Sequence, residues 1–175
     1  QSLIPTEQTT GQSLQGNNVL EPYQEVYFDD SGLSLVFAGE EFTLPLMYKT
    51  SDGSETTGVI FRVYYDSTLI TPVSVEVEDQ LDAIFKNTFG DNLLDESNTD
   101  NDESTDKYIT FVWVDFMGNF AEGEGPHTLA NIKFKFADGA DFSTPTTLRV
   151  RSMETAAGYN FKYTDLTIAV SYTHL

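Results

Sequence analysis

The chain contains no cysteine among its 175 residues. That excludes a disulfide framework, Cys-ligated zinc and a thiol nucleophile, but it does not fix a compartment. Basic residues are scarce: 9 Lys and Arg against 28 Asp and Glu leave a net charge of −19. A phosphate-binding face needs clustered Lys and Arg, so nucleic acid is not an expected partner, and neither is an anionic membrane surface. No apolar run approaches the roughly 20 residues of a membrane span, so no membrane insertion is expected. Histidine occurs only as His127, in a Gly-Pro loop, and His174 near the C-terminus. Neither has a Ser or Asp partner in a recognisable motif, and no G-x-S-x-G is present. A glycosidase carboxylate pair is open to so acidic a chain, yet such a cleft normally needs aromatic platforms and more length, so a non-enzyme is expected. The chain begins at Gln1, without Met or a signal peptide, which reads as an excised or processed piece.

Aromatics, by contrast, are plentiful. The 13 Phe and 9 Tyr favour strands over helices, and 39% hydrophobic residues are too many for a disordered composition. The length suits one domain with its own core. Residues 1–31, rich in Gln, Thr, Ser, Gly and Asn, read as linker, with Glu21–Phe28 pairing weakly along a domain edge. From Leu33 the pattern has period two. Leu33, Leu35 and Phe37 alternate, as do Phe42, Leu44, Leu46 and Tyr48, with Pro45 marking an edge or bulged strand. Val59, Phe61, Val63 and Tyr65 alternate with Arg62 and Tyr64, which places Tyr64 on an exposed face. Strands follow at 69–77, 108–114, 128–136, 148–151 and 166–170, and Asp66 is assigned to capping a turn. Only 79–94, with Leu81, Ile84 and Phe85 near helical spacing, has a helical flavour. The expected fold is all-β: an antiparallel β-sandwich of eight or nine short strands with at most one short helix, over residues 32–172, followed by a tail at 173–175.

Charge is concentrated in one place. Between Asp91 and Asp106 there are seven acidic side chains and no Lys or Arg, directly before the apolar run YITFVWV. Charge kept only for solubility would be spread, whereas ligands for a cation would be bunched. The all-oxygen character suits calcium (Ca²⁺) rather than zinc. Asp100, Asp102, Ser104 and Asp106 have the spacing of an EF-hand start, but Thr105 occupies the Gly position and Phe111 the bidentate Glu position. A different calcium loop is therefore expected, with Asp95, Asn98, Asp100, Asp102 and Asp106 as side-chain ligands and Asp91 and Asp115 as additional candidates. The competing expectation is a solvated acidic loop.

Four segments together resemble cohesin domains: Ala38–Leu46 with its G-x-x-F-x-L pattern, Val59–Val75 with the Tyr65-Asp66-Ser67 turn, the run from Asn98 through Trp113-Val114-Asp115 to Phe120, and Thr128–Phe134 with its L-x-x-I-x-F pattern. The resemblance covers roughly residues 33–171. It implies a nine-stranded jelly-roll and an extracellular or cell-surface, non-catalytic module that docks a dockerin-type protein on a face including strands 58–65 and 108–114. The acidic insert departs from the plain cellulosomal pattern, and cohesin-like modules also build surface adhesins. The alternatives are a calcium-rigidified adhesin spacer and a carbohydrate-binding module. The latter would stack polysaccharide on Tyr64, Tyr159, Tyr163 or Trp113. Trp113 is in phase with Ile109 and Phe111, which favours a core position for it.

Overall fold

The computed structural model describes residues 11–12, 19–78, 85–86, 93–95, 98, 100–141 and 143–171. All its regular elements are strands. They are β1 (Gly11–Gln12), β2 (Tyr23–Phe28), β3 (Glu41–Thr50), β4 (Gly58–Tyr65), β5 (Ile70–Val77), β6 (Phe85–Lys86), β7 (Leu93–Leu94), β8 (Lys107–Val114), β9 (His127–Phe136), β10 (Thr146–Glu154), β11 (Asn160–Tyr163) and β12 (Leu166–Ile168). Nine of these are three residues or longer. They form two sheets, one in the order β1-β12-β10-β4-β8-β6 with β7 also on β8, the other in the order β11-β2-β3-β9-β5. Every pair is antiparallel except β11 with β2.

Period-two alternation explains how the sheets meet. Phe42, Leu44, Leu46 and Tyr48 of β3 and Ile132, Phe134 and Phe136 of β9 face Val59, Phe61 and Val63 of β4 and Ile109, Phe111 and Trp113 of β8, all buried. Phe61 and Phe111 are direct cross-strand partners with centroids 5.4 Å apart, and Trp113 stacks on Phe111 at 5.8 Å. Trp113 is a core residue, as its phase predicts.

Several details differ from the sequence expectation. Tyr23–Phe28, expected as linker with weak edge pairing, is an interior strand between β11 and β3. Its turn-rich surroundings hide the reason, which is Gln24. That side chain is fully buried and donates to Tyr48 Oη at 2.9 Å and to the Gly58 carbonyl at 2.9 Å, while accepting from the Ala156 amide at 2.9 Å. One polar residue thereby ties the two sheets together, with each of its groups satisfied. Residues 33–37 do not form a strand. Val36 rather than Leu35 turns inward, held by a backbone bond from Ser171 to its carbonyl at 2.7 Å. β3 is not an edge strand, although its register shifts between Leu46 and Met47, next to Pro45. Phe85–Lys86 and Leu93–Leu94, inside the segment with helical spacing, pair with β8 as strands. The rest of that helical expectation, Asp91, and the 173–175 tail lie outside the described residues.

Candidate functional site: an arginine clasp beside an aromatic sheet face

β4, β8 and β10 are neighbours, so their outward residues form rows. Arg149, Tyr64 and Tyr108 make one row, Arg151, Arg62 and Thr110 the next, and Glu154, Ile60 and Val112 the third. All three arginines of the chain, Arg62, Arg149 and Arg151, therefore lie on one face.

Arg149 sits at the end of this face where the acidic loop enters β8. It is 4% exposed. Its Nη2 donates to Asp100 Oδ2 at 2.5 Å, its Nη1 to Thr105 Oγ1 at 2.7 Å, and its Nε lies 2.9 Å from Asp102 Oδ2. Its guanidinium carbon is 5.2 Å from the centre of the Tyr64 ring. Two carboxylates and an aromatic face are the partners a buried guanidinium needs, because its planar fork donates in several directions and its flat side stacks. The sequence offered one clue to this role. In a chain so poor in arginine, two of them stand two apart on β10.

The same contacts place the expected metal ligands. Asn98 Oδ1 accepts from the Asp102 amide at 2.9 Å, and Asp102 Oδ1 accepts from the Ser104 amide at 2.9 Å. Asp106 accepts from the Ser67 amide at 2.7 Å and the Ser67 hydroxyl at 2.6 Å, which fastens the loop to the β4–β5 turn. Asp95 Oδ2 and Asp100 Oδ1 are buried without a hydrogen-bond partner. Among the described residues no three His, Asp or Glu side chains converge as a metal-binding group. A hard cation takes six to eight oxygens, whereas most of the loop's described oxygens already serve Arg149, Ser67 and Ser104. The fit to calcium is thus partial, resting on two open oxygens. Asp115 stands at the far end of β8, roughly 25 Å along the strand. There it caps a turn by accepting from the amides of Met117 at 2.9 Å and Asn119 at 3.2 Å. Asp66 caps its turn as expected, accepting from the Thr68 amide at 3.0 Å.

These hydrogen bonds set the acid response of the loop. The Ser104 hydroxyl, against the opposing effect of burial, holds Asp102 below the usual carboxylate range. Burial pushes Asp106 up, but the Ser67 hydroxyl and amide outweigh it and its pKa is lowered. A carboxyl with a lower pKa folded than unfolded adds stability above its unfolded value of about 3.9, and that stability is lost as pH falls through the folded value. Urea unfolding from pH 6 to pH 3 is therefore expected to show a loss of stability below about pH 4 that is smaller in Asp106→Asn. Identical wild-type and Asp106→Asn profiles would contradict this.

The central row has another character. The Arg62 guanidinium carbon lies 4.0 Å from the centre of the Tyr108 ring, and Arg62 Nη1 donates to Tyr64 Oη at 3.2 Å. Arg151 makes a bidentate pair with Asp165, at 2.7 and 2.9 Å, and covers the Tyr163 ring at 4.2 Å. Burial removes two rings, Tyr64 and Trp113, from the expected sugar platform and leaves Tyr159 and Tyr163 half-buried. Tyr64 is only 2% exposed, since Arg149 and Tyr108 cover it, and Trp113 is fully buried. Tyr159 donates its hydroxyl to Asp52 at 2.8 Å.

The two outer faces of the sandwich differ in chemistry. The outer side of the five-stranded sheet mixes Glu41, Thr43, Lys133 and Lys135 with half-buried Pro45, Met47 and Tyr27, and carries no arginine. The outer side of the seven-stranded sheet carries Tyr108, Ile60 and Val112, all half-buried, around its arginines.

This two-sheet jelly-roll is the fold of cohesin domains. The seventh ScaB type I cohesin from Pseudobacteroides cellulosolvens superposes with a TM-score of 0.59 at 17% identity, covering 87% of this chain and 95% of that one. The OlpC cohesin of Clostridium thermocellum, crystallised in complex with Doc435, gives 0.57 at 14% identity, covering 87% and 96%. The sixth cohesin of Acetivibrio cellulolyticus scaffoldin B, crystallised with the Cel5 dockerin, gives 0.55 at 12%, covering 86% and 99%. No protein-family model and no curated protein sequence matches the chain. Among the described residues no helix is long and apolar enough to cross a membrane.

Proposed function

We propose that this chain is a non-catalytic, extracellular or cell-surface protein–protein interaction module that docks a dockerin-type partner on the outward face of β10, β4 and β8. The observation that carries the reading is that all three arginines stand among tyrosines on this one face, beside half-buried Ile60 and Val112. Tyr and Arg dominate binding energy at interfaces, and Ile60 and Val112 would lie under a partner instead of facing water. The likeness to cohesins crystallised with dockerins supports the class of partner. A library of displayed dockerin modules tests it. A binder is expected to lose at least tenfold in affinity, about 1.4 kcal/mol, against Val112→Lys, and to be unaffected by Thr43→Lys on the other face. Loss with Thr43→Lys alone would move the site to the five-stranded sheet.

Calcium is a second part of the proposal, with Asp95, Asn98, Asp100, Asp102 and Asp106 as ligands. Asp95 Oδ2 and Asp100 Oδ1, buried acceptors without a hydrogen, support it. For the rest, Asp102 and Asp106 would exchange Ser104 and Ser67 for the ion. A bound ion stabilises the folded state by mass action, about 2.7 kcal/mol at 100 times its dissociation constant. Thermal melting in calcium should therefore exceed that in chelator by several degrees. Coincident curves would remove calcium from the account and leave Arg149 as the loop's counter-charge.

A further inference from the structure

Arg62 occupies the centre of the docking face in an unusual electrostatic position. Its cross-strand neighbours are Thr110 on one side and Arg151, a like charge, on the other. Arg149 has Asp100 and Asp102, and Arg151 has Asp165. With 28 acidic residues in the chain, none among the described residues forms an ion pair with Arg62. Its Nε is buried without an acceptor. Tyr108 and Tyr64 hold the guanidinium in place, so it is pre-organised although no described carboxylate answers it. Two residues along β4, about 7 Å away, Ile60 opens onto a cleft of about 240 Å³ lined also by Val114, Phe116 and Ala156. Phe116, which lines it, is 70% exposed.

We infer that the partner sets a carboxylate side chain on Arg62 and an apolar side chain in the Ile60–Phe116 cleft. The inference rests on the docking face proposed above and specifies its chemistry. Charge complementarity selects the carboxylate. A protein of net charge −19 repels an acidic partner at long range, so an acidic group on that partner needs a local, oriented cation. Arg62 is the arginine of this face whose charge no described carboxylate answers. It is already held rigid by stacking, and a rigid side chain loses little freedom on binding. The spacing of anchor and cleft fits acidic and apolar residues one helical turn apart on a partner helix, or two apart on a strand.

The test uses dockerin modules selected from a displayed library on the intact wild-type chain, with dissociation constants measured by calorimetry. Arg62→Glu is expected to weaken a selected module more than about 50-fold, Arg62→Lys much less, and replacing the module's contacting Asp or Glu by Lys should restore binding to Arg62→Glu. Circular dichroism melting of each variant separates loss of the anchor from loss of the fold. Weakening by Ile60→Arg together with indifference to Arg62→Glu would leave the face intact and overturn the carboxylate anchor. Indifference to both would overturn the face itself, and failure of every module to bind would overturn both.

Discussion

Gly58→Ala is expected to be the most damaging single substitution in the strand framework. Gly58 begins β4 with φ of +115°, a backbone conformation closed to side-chain-bearing residues, and a Cβ there would fall inside the van der Waals radius of the Trp113 carbonyl oxygen. Its neighbour is backbone, which has no rotamer to yield. Gly58 also donates its amide to Thr56 Oγ1 at 3.1 Å and accepts from buried Gln24, so displacement would break the polar tie between the sheets. Backbone strain costs about 1–3 kcal/mol and overpacking a similar amount, giving a total of about 3 kcal/mol or more. For a chain of this size that lowers Tm by about 10 °C. A melting temperature within a few degrees of wild type would mean that β4 and β8 separate here at little cost.

The second large effect is expected from Arg149→Met. Removing one partner of a buried charged cluster costs about 3–5 kcal/mol, because the remaining charges stay behind without compensation. Asp102 is 37% exposed and partly screened by water, so the lower end of that range is expected. The loss should be reversible by chemistry alone. Arg149→Met combined with Asp100→Asn and Asp102→Asn removes the stranded charges and should recover most of the stability. If the triple variant is as unstable as the single one, the arginine acts through packing on Tyr64 instead of through charge. Chemical denaturation of the wild type, the single variant and the triple variant settles which holds.

The reach of the sequence can be traced residue by residue. Period-two alternation located β3, β4, β8, β9 and β10, since a sandwich strand must bury every second side chain. It set the core phase of Trp113 correctly for the same reason. It missed β2, where Gln24 stands in the core phase and reads as solvent-facing; its burial depends on partners distant in sequence. It placed Tyr64 at the surface, which is right for the face and wrong for exposure, because alternation says nothing of a neighbouring Arg149 that covers the ring. Lone alternation also misread 33–37, where a single backbone contact from Ser171 fixes which residue turns in. The acidic loop was legible as a concentration of charge needing a counter-charge. That an arginine on β10 supplies one was not, because loop and strand are joined only in the fold.

The docking claim is tested most directly by hydrogen exchange with and without a selected dockerin module. Protection on binding is predicted for amides of β4, β8 and β10, centred on the Arg62–Thr110–Arg151 row, with β3 and β9 unchanged. Protection confined to β3 and β9, or to the 121–127 loop, would contradict the account.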